Sequence, residues 1–330
     1  MKYAIALFCL CAFCTTSIYA QQHHSKPVPI IFDSDMGPDY DDVGAITILH
    51  ALADKGEARI LATMASTKYE GVAGVLNVFN TYFKRPGIPV GVPKGFAIEF
   101  RDFQHWTDTL LAKYPHKIKT NDAAEDAVTL YRKILAVQPD HSVTIVTIGF
   151  LTNVSNLLNT KADKYSSLSG KELIKKKVKL LVCMAGRFPT GYEFNVDKDI
   201  TASNNVFQNI DIPVIYSGFE IGEKIKAGLP LINDTSIKND PVKDVFRISI
   251  PQAKEDSAGR KSWDETAVLV AIKGYSPYYS LHAGKMGIVA PDGKDTWDDN
   301  GKGQAYLVEK MDYKKVEELI NTLIMHQPVK

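Results

Sequence analysis

Five aspartates fall within ten residues of this chain, in the run Asp33-Ser34-Asp35-Met36-Gly37-Pro38-Asp39-Tyr40-Asp41-Asp42. Carboxylates this crowded repel one another, and unless some are protonated they call for a compensating cation. An all-oxygen donor set suits a hard ion, calcium or magnesium, better than zinc. Capping of a helix and an answer to its dipole account for part of the run, Asp39 to Asp42, but not for Asp33 and Asp35 on its other side. The spacing does not fit an EF-hand loop, whose twelfth position is acidic.

Three later stretches carry side chains of similar interest. Thr147-Ile148-Gly149-Phe150-Leu151-Thr152-Asn153 reads as a strand ending in a glycine turn before an Asn/Thr-capped helix. Met184-Ala185-Gly186 is followed by Glu193-Phe194-Asn195, which alone is a polar loop. In Ser262-Trp263-Asp264-Glu265 the serine and glutamate have the spacing of a capping box, with Asp264 in the first helical turn.

Short apolar or β-branched runs at 30–32, 59–64, 89–90, 143–148, 178–184 and 213–216 predict buried strands. Helical patterns at 43–53, 71–83, 122–137 and 266–272 separate or follow them. Val316, Leu319, Ile320, Leu323 and Ile324 mark one face of a terminal helix. This alternation predicts an α/β fold, an open and mostly parallel sheet flanked by helices, in a single domain. Residues 94–120 and 230–262 lack clean periodicity and read as long loops or small lids. Ligands of an open parallel sheet sit beyond the carboxyl ends of its strands. All four stretches lie at such ends or on helices facing them.

The 330 residues are 45% apolar and 23% charged, with a formal net charge of +1. No basic stripe with interleaved aromatics supports nucleic-acid binding, so a small polar substrate fits better. Lys2 followed by an apolar run and Ile18-Tyr19-Ala20 reads as a signal peptide over 1–20, leaving 21–330 as a secreted or periplasmic domain with no membrane attachment. Cys9, Cys11 and Cys14 lie in that leader, so the mature chain keeps only Cys183 and can form no disulfide framework.

The aspartate run resembles the N-terminal signature of the inosine-uridine nucleoside hydrolase family, Asp-x-Asp-Pro-Gly-x-Asp-Asp. It departs by Met36 in place of proline and by two extra residues before Asp41-Asp42, a longer form similar to a bacterial branch of the family. The other stretches resemble further family motifs in family order, over roughly residues 28–271. The resemblance implies calcium held by Asp35, Asp42, the Ile148 carbonyl and Asp264, with Asp35 also the base toward a metal-bound water. Asp41, Glu193 and Asn195 would hold ribose hydroxyls over Met184, with Asp33 in support. Many members carry histidine as the leaving-group acid where this chain has Trp263, which makes Trp263 a base-stacking residue by similarity to purine-preferring members. Trp106 is a candidate second stacking ring; His105, Asp39 and Tyr192 are candidate acids from mobile loops. A homodimer or homotetramer would follow family habit.

The implied reaction is hydrolysis of a nucleoside N-glycosidic bond, releasing ribose and free base. Two alternatives use the same residues differently. One is a secreted calcium-dependent nucleoside- or pentose-binding protein without turnover. The other is a haloacid-dehalogenase-like phosphatase, since Asp33-Ser34-Asp35 imitates its strand-borne Asp-x-Asp.

Overall fold

The computed structural model describes residues 26–289 and 291–329. The leader read as a signal peptide lies outside the described residues. Strands β1 (Val28–Ser34), β2 (Ala58–Ala65), β3 (Val90–Val92), β4 (Glu125–Asp126), β5 (Val143–Thr147), β6 (Val178–Met184) and β7 (Val214–Ser217) belong to one large sheet. The pair β8 (Lys226–Ala227) and β9 (Arg260–Lys261) forms a separate antiparallel ribbon. The large sheet is completed by β10 (Tyr279–Val289), β11 (Lys294–Asp298) and β12 (Gln304–Glu309). Its order is β11-β10-β12-β7-β6-β5-β1-β2-β3-β4. Every pairing from β12 across to β4 is parallel, while β10 is antiparallel to both its neighbours.

The expected strands are all present, and the structure adds the antiparallel end strands, which the sequence reading did not place. The segments expected to be loops also hold helices, at Trp106–Lys113 and Pro241–Ser249. Trp106–Lys113 is short and weakly patterned, whereas Pro241–Ser249 buries Val242, Val245, Phe246 and Ser249 on one face, a helical signal that the sequence reading passed over. In a helix-covered parallel sheet the strand residues are buried on both sides. Ile30 and Phe32 accordingly join one apolar layer, and Ile31 the opposite one. Among the described residues no helix is long and apolar enough to cross a membrane.

Two features of this frame position chemistry. The chain leaves β1 toward β2 on one side, while β5 flanks β1 on the other. That switch point opens a crevice at the carboxyl ends of the strands. The Asp41–Asp54 and Trp263–Lys273 helices are apolar on almost every side and buried along nearly their whole length. Each begins with acidic residues, and both begin at the crevice.

Candidate active site

The crevice is a cleft of about 240 Å³. It brings together Asp35, Asp39, Asp41 and Asp42 from the first stretch, Ile148 from the second, Met184, Glu193 and Asn195 from the third, and Trp263 and Asp264 from the fourth. Residues more than 200 positions apart thus meet as the sequence reading expected. Asp33 stands behind the cleft, fully buried. It accepts hydrogen bonds from the Tyr131 hydroxyl at 2.8 Å and from Asn153 Nδ2 at 3.1 Å. Burial outweighs those bonds and raises its pKa to about 7.

Local geometry explains Met36, one of the departures from the shorter motif. Met36 takes a left-handed φ of 38° and donates its N–H to Ser34 Oγ and Asp42 Oδ1, at 2.9 and 3.0 Å. A proline could do neither, since its φ is fixed near −65° and it has no N–H. Ser34 Oγ also donates to Asp42 Oδ1, at 2.5 Å. Asp42 is thereby fixed through one oxygen. Burial, then the charge of Asp41, raises its pKa to about 7. Asp35 is raised well above the carboxylate range by burial first and by Asp42 next, and Asp264 by burial and then Asp41. Glycine is required at 149, where a Cβ would come within 2.7 Å of Asp35 Oδ1.

The Glu193-Phe194-Asn195 turn is tied down on its own backbone. Glu193 accepts the N–H groups of Asn195, Val196 and Gly186, and burial lifts its pKa to about 7. Asn195 Nδ2 donates to the carbonyls of Ile148 and Met184, at 3.1 and 3.2 Å. These bonds lock both side chains at the edge of the cleft.

The expected capping box at Ser262 and Glu265 does not form. Asp41 takes its place, accepting through Oδ2 from the N–H groups of Trp263 and Asp264 at 3.2 and 3.3 Å. The acid of one helix therefore caps the other. Ser262 Oγ and both Glu265 carboxylate oxygens are left buried without partners.

The loop residues offered as acids or rings divide. Trp106 is fully buried in the core and does not line the cleft, because its helix packs its apolar face inward. His105 and Tyr192 are also outside the lining, whereas Asp39 lies within it. Trp263 lines the cleft, yet its indole N–H donates to the Phe219 carbonyl at 2.8 Å and its ring lies 5.0 Å from that of Phe219. Residues not singled out from sequence complete the wall: Phe103, Phe194, Phe219 and Arg260. Phe103 and Phe194 are 59% and 39% exposed, so their rings offer open apolar surface. Arg260 was hidden in a segment without periodicity; the unbalanced charge of the aspartate run was the signal that a buried arginine should exist.

The donor set fits a hard cation. Asp35, Asp39, Asp41, Asp42, Glu193 and Asp264 bring carboxylate oxygens to the cleft, and one from each of Asp39, Asp41 and Asp264 lies within 4.8 Å of the others. Among the described residues, no lysine, arginine or histidine pairs with Asp35, Asp42 or Asp264, while Arg260 pairs with Asp39 and Asp41. Buried like charges without partners are costly, and a bound dication removes that cost.

Residues 30–318 match the sequence profile described as inosine-uridine preferring nucleoside hydrolase. A search of curated proteins returned no significant match. Among solved structures, a purine-preferring ribonucleoside hydrolase from Gardnerella vaginalis superposes with a TM-score of 0.70 at 18% identity, over 90% of this chain and 98% of that one. The inosine-uridine preferring nucleoside hydrolase from Bacillus anthracis gives 0.69 at 15% identity, over 90% and 99%. A plant nucleoside hydrolase gives 0.69 at 18% identity, over 91% and 99%. At these identities the structural likeness establishes the fold, a single α/β domain around a large, mostly parallel sheet.

Proposed function

The chain belongs to the inosine-uridine preferring nucleoside hydrolase family, glycosidases that cleave nucleoside N-glycosidic bonds, and we propose that it does so with calcium and with Asp35 as general base. The observation that carries this reading is the set of unpaired, buried carboxylates Asp35, Asp42 and Asp264 in one cleft. With the Ile148 carbonyl they are the residues that would hold the ion. When bound, calcium lowers the pKa of a water molecule and orients sugar hydroxyls.

The protein's own groups supply the rest. Asp35 takes the proton from the attacking water as it adds to the anomeric carbon. Asp41, Glu193 and Asn195 hold and orient the ribose over Met184, so that sugar binding energy is used at the reacting carbon. Phe103, Phe194 and Trp263 form the wall for the base. Among the described residues no histidine lines the cleft, so the base would leave with the N-glycosidic electron pair, stacked on Trp263, and take its proton from solvent water. The family match leaves the phosphatase alternative without support. The apolar leader at 1–20 favours action outside the cytoplasm.

The test is reducing-sugar release across purine and pyrimidine nucleosides, with and without chelator. Release that disappears with chelator and returns with calcium supports the proposal. Release that ignores chelator removes calcium from it. Tight nucleoside binding without any release would make the protein a binding protein instead.

A further inference from the structure

The acid cluster is built in two unlike halves. Arg260 donates to Asp41 Oδ1 through Nε and Nη2, at 3.0 and 2.8 Å. Its Nη2 also pairs with Asp39, and its Nη1 reaches Asp256 Oδ2 at 3.4 Å. The Tyr40 hydroxyl donates to the same Asp256 oxygen at 2.6 Å. The guanidinium carbon lies 5.0 Å from the ring centres of both Tyr40 and Trp263. A guanidinium held by three carboxylates and two rings is fixed in place, and it cannot discharge by losing a proton.

Asp39 and Asp41 nevertheless offer a cation, together with Asp264, three carboxylate oxygens within 4.8 Å of one another. Two places for an ion therefore compete in one cleft: the Asp39–Asp41 side and the Asp35–Asp42 side. Resting on the calcium reading above, we infer that Arg260 is a resident counter-cation that keeps Asp39 and Asp41 out of the metal's shell and confines calcium to Asp35, Asp42 and Asp264.

Two physical reasons support it. A dication beside Asp39 and Asp41 would face the fixed positive charge of Arg260 at short range. Asp41 also already accepts two N–H groups of Arg260 on Oδ1 and two backbone N–H groups on Oδ2. Coordination by Asp41 would break charge-assisted bonds and uncap the helix that carries Asp264. Arg260 is thus a positioning residue that acts through Asp41.

The experiment is calorimetric titration of calcium into the metal-stripped protein as wild type, Arg260→Met and Arg260→Lys. The wild type is expected to take one ion. Arg260→Met keeps much of the apolar stem without the charge, and should take a second ion or bind one about tenfold more tightly. Arg260→Lys keeps the charge and should stay at one ion, within about threefold of wild-type affinity. A purely bracing role predicts weaker binding in both variants, and that result overturns the inference. So does an unchanged Arg260→Met. If Arg260→Met does not fold, Asp39→Asn decides: affinity within about threefold supports the inference, and a loss of about tenfold or more overturns it. A wild type that takes no calcium overturns the underlying metal reading instead.

Discussion

The two sides of the acid cluster share residue type and neighbourhood, yet they differ in what neutralises them. On the paired side Asp39 alone is less than fully buried, and desolvation raises its pKa despite Arg260. Asp41 is opposed by its burial, but Arg260 and its hydrogen bonds outweigh that, and its pKa falls below the ordinary carboxylate value. Asp35, Asp42 and Asp264 have no such partner, and burial raises all three. The difference separates roles that the sequence motif runs together. A side already neutralised can hold a fixed shape; a side left unneutralised is prepared for a cation.

The largest expected effect breaks the unpaired side at its reacting member. Asp35→Asn should lower kcat by about 10³-fold, with circular dichroism unchanged, since a positioned base contributes on this scale. Next, Asp264→Asn should weaken calcium binding by more than the roughly 10–100-fold that loss of a supporting partner costs a metal site; calorimetry would read it. On the paired side, Asp41→Ala should show first in stability. It leaves Arg260 short of its main partner and uncaps the Trp263–Lys273 helix, costing about 3 kcal/mol in denaturant unfolding.

The smallest effect is the pH dependence of the unpaired side, set beside that of Asp33 behind the cleft. Asp42 and Asp33 have folded pKa values near 7 against an ordinary carboxylate value of 3.8, so the folded state binds their protons more tightly. Their stabilisation is full below about pH 4 and is lost as pH rises to about 7, so metal-free protein should lose several degrees of Tm across that range. Calcium should remove the Asp42 share of that loss, because the ion favours the charged form, and leave the Asp33 share. A Tm that stays flat from pH 4 to 7 without metal would contradict this account of the unpaired side.

Much of this was legible in the sequence, for identifiable reasons. Strand-end carboxylates and Gly149 follow from backbone geometry that short motifs encode, so Asp35, Asp42, Ile148, Asn195 and Asp264 arrive in one cleft as expected. Partnerships formed only by tertiary packing were not legible. Arg260 meets Asp41 across 219 positions from a two-residue strand. The capping box at Ser262 and Glu265 has the right local spacing, but Asp41 reaches that helix end first. Phe103 and Phe194 looked like loop residues because their part in the cleft depends on how distant segments fold over the sheet.

The most direct test of the divided cluster is the position of the ion itself, read from anomalous scattering of a crystal grown with calcium. One ion held by Asp35, Asp42, Asp264 and the Ile148 carbonyl is expected, with Arg260 still bonded to Asp41. An ion between Asp39 and Asp41, with Arg260 displaced, would contradict it.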